Sequence, residues 1–331
     1  MEKSTHQSIT KKKKINHIDI FIRIFKKGGV YFSLAILLII AGVLSPKLLE
    51  PTHLLFILRI ASILGIMSIG QTLLIISRGI DLSVGANATL VVVLICAISM
   101  GRDQYVVQVL ATSLAVGAFV GMINGLLVVK FRISPLVGSL GVMSLVTGIT
   151  YLYTKGFARG SAPQFVAYLG QGKVFGYIPA AVILWAVIAA LTWYVLRRTA
   201  FGRYIFACGA NPRAAYMAGI NPDRILFYVY IISGLLTAMS AIIWAGYLKS
   251  QPTLVGGDYY PLDSLTAVII GGTTFAGGKG SILGTIIGVI IITLLSSLLN
   301  MLGLVHGVKL LIQGLIIMLM VFAYTGKKKL T

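Results

Sequence analysis

Long apolar segments alternate with short polar stretches along the chain beyond residue 29. Ten such segments lie near 30–45, 54–77, 84–100, 105–129, 135–153, 178–196, 225–248, 262–276, 282–305 and 308–325. A membrane-spanning helix needs about 20 apolar residues, and eight of the ten segments have a suitable length. The pattern therefore predicts an all-α polytopic membrane protein with about ten transmembrane helices.

Two of the segments are shorter than an ordinary membrane span. The first is 30–45, and the eighth, 262–276, also contains the pair Gly271-Gly272. Short spans that are interrupted by glycine often form a half-helix or a gate in transporters. We expect the eighth segment to have one of these two roles.

The composition agrees with a bilayer environment. Hydrophobic residues make up 57% of the chain and charged residues 11%. A soluble domain carries about twice this charged fraction, so the surplus of apolar side chains must face something other than water. Lipid is the natural surrounding.

The positive charge is concentrated in alternate loops. With a cytoplasmic N-terminus, the inner segments hold 20 of the 28 lysines and arginines. These segments are the N-terminal tail, 78–83, 130–134, 197–224, 277–281 and the C-terminal tail. The bias predicts that both termini are cytoplasmic. The net charge of +20 then needs only anionic lipid as its partner, and no nucleic acid is expected.

The segments form one membrane domain between two basic tails. The tails are residues 1–29 and 326–331, and the membrane domain is 30–325, with its longest inner loop at 197–224. No cleavable signal peptide is expected, because polar and basic residues precede the first segment and no A-x-A site follows it. The two cysteines, Cys96 and Cys208, are expected to be separate and reduced.

The sequence lacks the motifs of several chemistries. The stretch GGTTFAGGKGS (271–281) resembles a phosphate-binding loop, but Thr273 stands at its first glycine position and Gly280 replaces the required Ser or Thr. The four histidines have no cysteine or carboxylate at ligand spacing, so no metal site is expected. We expect a chain that is not an enzyme and binds no cofactor. No carboxylate lies near the middle of a segment, so the energy for transport would come from elsewhere.

Glycines and uncharged polar residues recur inside the apolar segments. Gly117, Gly121 and Gly125 share one helix face, and Gly280, Gly284 and Gly288 lead into the ninth segment. This spacing lets helices pack closely or, alternatively, slide during gating. Five polar residues either line a solute path or form bonds between helices, and the sequence does not separate these readings. They are Gln71, Asn87, Asn124, Asn300 and Gln313.

The inner loop 197–224 contains the signals of a short helix. Asn211 is a good N-cap, Pro212 suits the first helical position, and Gly219 suits the residue beyond the end. A helix of about two turns is not stable alone in water, so it must dock on something. It either lies on the membrane surface or binds a groove of a partner protein, and its apolar sequence favours the partner. A partner that hydrolyses ATP would also supply the missing energy.

The stretch SRGIDLSVGA (77–86) places an aspartate between two apolar segments. Asp81 and Ser83 are candidate N-caps for the following helix, and Gly79 and Gly85 allow a turn and close packing. A second inner turn repeats the pattern of glycines and a serine before a helix. Its residues are Gly277, Gly278, Gly280 and Ser281. Both turns are expected to border a gate on the inner side.

Three blocks of sequence resemble the ribose-type permeases of binding-protein-dependent ABC importers. SRGIDLSVGA is similar to their signature GGIDLSVG, except that Arg78 stands where the family commonly has glycine. The block 262–285 is similar to the family's L.AIAAVVIGGTS..GG.GS..GT. The block FGRYIFACGANPRAAYMAGI is similar to GR…A.G.N..AA..SGI, with Ala218 replacing the usual serine. Its matching residues are Arg203, Gly209, Asn211, Ala214, Ala215, Gly219 and Ile220.

The resemblance covers about residues 55–325 and implies an assembly and a mechanism. The chain would be a type II ABC importer-like permease subunit in the bacterial cytoplasmic membrane, paired with a like or unlike second permease subunit. Cytoplasmic ATPase subunits that bind ATP-Mg and an extracytoplasmic solute-binding protein would complete the importer. The helix at 211–220, with Pro212 and Arg213, would be the coupling helix that sits in the ATPase. The outer loops 154–177 and 249–261 would receive the binding protein.

The resemblance also implies the class of solute. A sugar or sugar-like solute, of which a ribose-type monosaccharide is the first candidate, would cross by alternating access. Nucleosides and the autoinducer-2 signal are carried by the same superfamily and stay open. A stand-alone secondary carrier would need an ionisable residue at mid-membrane, and a membrane-embedded enzyme would need a nucleophile with its base or a metal cluster. The sequence offers none of these.

Overall fold

The chain folds almost entirely into helices. A computed structural model describes residues 17–157, 159–250 and 259–305 and scattered positions up to 318, with side chains from residue 30 onward. The helices of the first half are α1 His17–Leu44, α2 Pro51–Ile76, α3 Val84–Ser99, α4 Val106–Val129, α5 Pro135–Thr154 and α6 Gln164–Gln171. The helices of the second half are α7 Ala180–Arg198, α8 Ala200–Ala210, α9 Pro212–Met217, α10 Pro222–Leu248, α11 Tyr260–Ile270 and α12 Ile282–Met301.

Short elements join some of these helices. Two 3-10 helices, Pro46–Leu49 and Asp103–Tyr105, precede α2 and α4. The strands β1, Lys173–Val174, and β2, Ile178–Pro179, form an antiparallel hairpin in which Lys173 lies opposite Pro179.

Nine of the ten predicted segments coincide with helices. Six helices of the described part are long and apolar enough to cross a membrane: α2, α4, α5, α7, α10 and α12. The tenth segment, 308–325, lies mainly outside the described residues, as do Gln313 and the tail 326–331. The structure thus agrees with a polytopic helical protein.

Some helix boundaries differ from the prediction. Helix α1 begins at His17, inside the predicted tail 1–29, and residues 1–16 lie outside the described part. Helix α8 forms inside the predicted loop 197–224, where Thr199 caps it by accepting a hydrogen bond from the N–H of Gly202 at 3.3 Å. The sequence AFGRYIFACGA did not indicate this helix, because its arginine and glycines interrupt the apolar residues. Helix α6 was missed because it is too short to form an apolar segment.

Helix α11 is shorter than an ordinary membrane span, as the sequence predicts. It has 11 residues and ends at Ile270, Gly271 is its C-cap, and Gly272 has a φ of 87°. Such a helix is about 16 Å long, while the hydrocarbon core is about 30 Å thick. The chain turns back beyond it and enters α12.

Loops that the sequence assigns to the same side lie together. At one end, Arg132 of the α4–α5 loop forms an ion pair with Asp223, and Gly278 contacts Ile76. We call this the basic end; it comprises 77–83, 130–134, 197–224 and 271–281. At the opposite end, Gly101 bonds to Ser161, and Ala162 bonds to Lys249. The alternation of loops predicted from charge is therefore present in the fold.

Helices α2, α3 and α10 lie at the centre of the bundle. Helix α10 packs against α2, α3, α4 and α6, and α12 packs against α1, α2 and α11. Side chains of α3 are buried almost throughout, whereas α1, α5 and α7 expose large apolar side chains such as Leu152 and Leu191. Exposed apolar faces of this extent are expected for helices that contact lipid.

Glycines bring neighbouring helices into backbone contact. A methyl group added at Gly121 of α4 would collide with the carbonyl oxygen of Tyr230, and one at Gly117 would collide with Gly234 of α10. Gly288 of α12 meets the carbonyl of Ala267 in the same way. The close-packing reading of the glycine spacing is confirmed, and sliding during gating stays a prediction.

The contact at Gly121 gives a test of stability. Gly121→Ala should lower the free energy of unfolding by about 1–3 kcal/mol, because the new methyl group forces α4 and α10 apart. The matched control is Gly148→Ala in α5, where nothing lies within 4 Å of the added methyl group. The control should be neutral or stabilising by up to about 1 kcal/mol, because alanine favours the helix. Thermal unfolding in detergent measures both, and equal effects would contradict the packing argument.

Candidate functional site

Three segments meet at the basic end and form one junction. They are the turn 77–83 between α2 and α3, the turn 271–281 between α11 and α12, and the corner between α8 and α9. The N–H of Gly278 donates to the carbonyl of Ile76 at 2.8 Å. Gly209 lies so close to that same carbonyl that any side chain at 209 would collide with it. The two turns predicted from sequence are therefore in direct contact.

Asp81 lies at the buried side of the turn 77–83. Its side chain is 1% exposed, and Oδ1 accepts hydrogen bonds from the N–H of Ser83 at 2.7 Å and from the Ser83 hydroxyl at 2.6 Å. The Nδ2 group of Asn124, on α4, donates to the Ser83 hydroxyl at 2.7 Å. The aspartate is thus held by side chain and backbone contacts from its own turn and from a neighbouring helix.

Two further side chains fasten the backbone of this turn. The Gln71 side chain on α2 donates to the carbonyl of Asp81 and accepts from its N–H. The Tyr230 hydroxyl on α10 donates to the carbonyl of Ile80 at 3.0 Å and accepts from its N–H at 3.3 Å. The turn therefore receives partners from α2, α4 and α10 as well as from itself.

Neither Asp81 nor Ser83 caps α3 with its side chain in the way the sequence predicts. Ser83 occupies the N-cap position of α3, but its hydroxyl accepts no hydrogen bond from the helix. The hydroxyl instead donates to Asp81, whose carboxylate accepts the Ser83 N–H. Gly85, the last glycine of the predicted motif, lies inside α3, and its carbonyl accepts from the hydroxyl of Thr89.

The carboxylate of Asp81 has no ion-pair partner in the described part of the chain. Burial raises its pKa above the ordinary value for aspartate, and the hydrogen bonds from Ser83 act in the opposite direction. A buried carboxylate of this kind depends on its hydrogen-bond donors, because water does not reach it.

The second turn is built differently from the first. Gly277 and Gly278 have φ values of 77° and 70°, which glycine adopts readily. Ser281 caps α12 by accepting from the N–H of Gly284 at 3.4 Å. Gly280 packs against the side chain of Ile76. Serine therefore caps a helix in one turn and holds an aspartate in the other.

Helix α9 presents exposed apolar side chains. Asn211 caps it by accepting from the N–H of Ala214 at 3.1 Å, and Gly219 follows its end with a φ of 81°, as the sequence predicts. Ala215 is buried against the protein, whereas Tyr216 is 66% and Met217 86% exposed. Pro212 lies at the first helical position. Other exposed or partly exposed positions in this region are Arg203, Arg213, Ala214 and Ile220.

Two of the four predicted path residues bind the same turn. Gln71 and Asn124 both bind the turn 77–83, so their side chains are engaged in bonds within the protein. Asn87 is buried on α3, and its Oδ1 has no hydrogen-bond partner among the described residues. Asn300 is exposed near the end of α12. The reading as bonds between helices applies to the first two.

Sequence reasoning missed two residues that organise the junction. Tyr230 was not singled out, although a hydroxyl in the apolar helix α10 was a signal that a polar partner lies nearby. Arg78 was noted only as a departure from a family signature. Within the described residues, no group of three histidine, cysteine or acidic side chains comes together.

Comparison with protein families gives one match. Residues 53–321 match the family described as branched-chain amino acid transport system / permease component. This match covers most of the chain.

Comparison with characterised proteins gives relatives of similar length. The chain is 35% identical to the ribose import permease protein of Escherichia coli strain K12 over 301 residues, 89% of this chain and 92% of the relative. It is 36% identical to the ribose import permease protein of Bacillus subtilis over 322 residues, 96% and 97% of the two chains. It is 31% identical to the galactose/methyl galactoside import permease protein of Escherichia coli strain K12, over 80% and 83%. No solved structure matches the chain.

The bonds to Asp81 give a second test of stability. Asp81→Ala removes the acceptor for the Ser83 N–H and hydroxyl, and should lower the free energy of unfolding by about 1–3 kcal/mol. Asp81→Asn keeps an oxygen acceptor and should cost clearly less.

The control is Asp103→Ala at the opposite end. Asp103 accepts from the N–H of Phe165 at 3.2 Å at an exposed position, where water replaces the lost bond. Thermal unfolding of the three variants in detergent measures the ranking. Equal losses for Asp81→Ala and Asp103→Ala would contradict a special role for the buried bonds.

Proposed function

We infer the function from one premise: the chain belongs to the family described as branched-chain amino acid transport system / permease component. Within it, the chain is the permease subunit of an ABC importer for a sugar, with a ribose-type monosaccharide as the leading solute. The observation that carries this is 35% identity to a ribose import permease over 89% of the chain.

The relatives also bear on the choice of solute. Their names include ribose import, fructose import and galactose/methyl galactoside import. These are neutral molecules rich in hydroxyl groups, which suits a membrane domain with few buried charges. A permease for nucleosides, autoinducer-2 or another small polar solute is the alternative, and transport by the reconstituted importer decides between them.

The chain is a multi-pass protein of the bacterial inner membrane. We propose that it crosses the membrane with about ten helices and that the basic end faces the cytoplasm, with both termini on that side. Arg78, Lys130, Arg132, Arg203 and Lys279 belong to this end, and the positive-inside rule supports the orientation. Segment 30–325 would be the permease domain between the tails 1–29 and 326–331.

A permease of this type works with partner proteins. An ATPase on the cytoplasmic side and a solute-binding protein on the other side are its partners, and we propose a second permease subunit, identical or not. ATP-Mg would bind to the ATPase, since the chain itself is a transport subunit rather than an enzyme. The outer loops 154–177 and 249–261 are the proposed contact for the binding protein.

Helix α9 is the proposed coupling helix. Its exposed Tyr216 and Met217 can enter a groove of the ATPase, while Ala215 fixes the helix to the rest of the chain. Closure of the ATPase would shift α9 and the corner between α8 and α9. Because that corner touches the turns 77–83 and 271–281, the displacement reaches the inner ends of α2, α3, α11 and α12 and opens alternate sides of the path.

Reconstituted transport tests the function. The chain, its ATPase and the solute-binding protein in liposomes should take up labelled ribose only when ATP and the binding protein are both present. A stand-alone carrier would instead transport with the chain alone under a proton or sodium gradient. A panel of sugars and nucleosides on the binding protein identifies the solute.

Helix α9 provides a test of coupling. Met217→Glu should weaken binding of the ATPase by about tenfold or more, because a charge would replace an exposed apolar side chain that the proposed contact buries. The matched control is Met100→Glu, an exposed methionine at the opposite end, which should not affect ATPase binding. Pull-down and ATP-driven uptake measure the effect. Unchanged uptake with Met217→Glu would refute the assignment, whereas a large residue at the buried Ala215 would test folding instead.

A further inference from the structure

Arg78 makes two hydrogen bonds to the corner between α8 and α9. Its Nε donates to the carbonyl of Gly209 at 2.7 Å, and a terminal guanidinium nitrogen donates to the carbonyl of Ala210 at 2.9 Å. These bonds join residues that are more than 130 positions apart in the sequence. The family resemblance gives no reason for them, because glycine is common at this position of the signature.

The two acceptors are the last residues of α8. Carbonyls at the end of a helix lack partners within the helix and lie at its negative end, so a cation is favourable there. The guanidinium group presents several donors in a fixed fork, which suits two adjacent carbonyls. Asn211 follows Ala210 directly and caps α9. Arg78 therefore binds the two residues that directly precede the N-cap of α9.

The stem of the same side chain lies against the second turn. A methyl group added at Gly277 would lie 2.6 Å from Cγ of Arg78 and 2.7 Å from the carbonyl oxygen of Gly209. Because residue 277 is glycine, the aliphatic part of the Arg78 side chain can pack against it. One side chain contacts both of the other segments of the junction.

Arginine at this position is unfavourable for the backbone. Arg78 has a φ of 68°, a left-handed conformation in which a side chain costs free energy and glycine does not. Replacement by glycine would therefore suit the turn better than the natural residue does. The turn itself is already fastened by Gln71 and Tyr230, so it does not need the guanidinium group for its own shape.

We propose that Arg78 is the positioning residue that makes the turn 77–83 follow the movement of α9. The proposal rests on the proposed function, since it assumes that an ATPase moves α9. A displacement of α9 pulls on Ala210 and Gly209, and the guanidinium group transmits it to the turn that carries Asp81. Without this side chain, the corner and the turn would move separately, and ATP hydrolysis would be followed less often by transport.

The first experiment compares Arg78→Gly with Arg132→Gly. Arg132 is a matched control because it also has a left-handed φ, of 58°, lies at the basic end and makes a two-bond contact, but with Asp223 of α10. Both variants are reconstituted with the ATPase and the binding protein, and solute uptake is measured per ATP hydrolysed. Arg78→Gly should assemble normally and lower this ratio by about tenfold, the factor expected from losing a hydrogen bond to a charged donor. Arg132→Gly should keep the ratio of the natural protein.

A conservative variant separates positioning from a merely structural role. Arg78→Lys keeps the charge and can reach one carbonyl, so it should restore part of the ratio. A ratio within twofold of the natural protein for Arg78→Gly would overturn the proposal. So would loss of assembly in Arg78→Gly and Arg78→Lys alike, because it would show that the contact only stabilises the complex.

A second measurement does not need transport. Hydrogen exchange of the purified chain in nanodiscs should become faster in residues 211–220 of Arg78→Gly and stay unchanged in α6. Unchanged exchange in 211–220 would overturn the mechanical link. If the natural complex shows no ATP-driven uptake, the proposed function fails, whereas the exchange result still decides whether Arg78 holds α9.

Discussion

A backbone N–H or C=O that is buried where a helix ends must find its partner within the protein, because no other group can reach it. The turns 77–83 and 271–281 are the places where this chain meets that constraint. The side chains of Gln71 and Tyr230 donate hydrogen bonds to the backbone carbonyls of Asp81 and Ile80. The N–H of Gly278 donates to the carbonyl of Ile76. The junction is therefore held by hydrogen bonds: α2 and α10 satisfy backbone groups of the first turn, and the second turn bonds to the end of α2.

Close approach of backbones is the second condition on which the junction depends. At Gly209 and Gly277 a side chain would occupy the space of a neighbouring carbonyl or of Arg78. Small residues are used in the same way along α4 and α12, where they allow helices to meet. Glycine therefore serves both the packing of helices in the middle of the bundle and the meeting of three segments at its end.

The sequence predicted the parts of the fold that arise locally. Apolar length located nine helices, and the cap of α9 at Asn211 followed from residue type and position. It did not predict α8, because helix formation there depends on packing of Ile205 and Cys208 rather than on a long apolar run. The distant partners of the turn 77–83 could not be found either. Tyr230 and Asn124 lie far away in the sequence, and only the fold brings them to the turn.

The central position of α3 has a consequence for the order of assembly. The turn before it is complete only with Asn124 of α4 and Tyr230 of α10, yet α3 itself ends at Ser99. During synthesis, α3 and the turn before it are therefore made long before Tyr230, the last partner of that turn. The turn reaches its final set of bonds only after residue 230 has left the ribosome. Until then, the turn that precedes α3 lacks part of its hydrogen bonds, so the surroundings of this deeply buried helix are completed late in biogenesis.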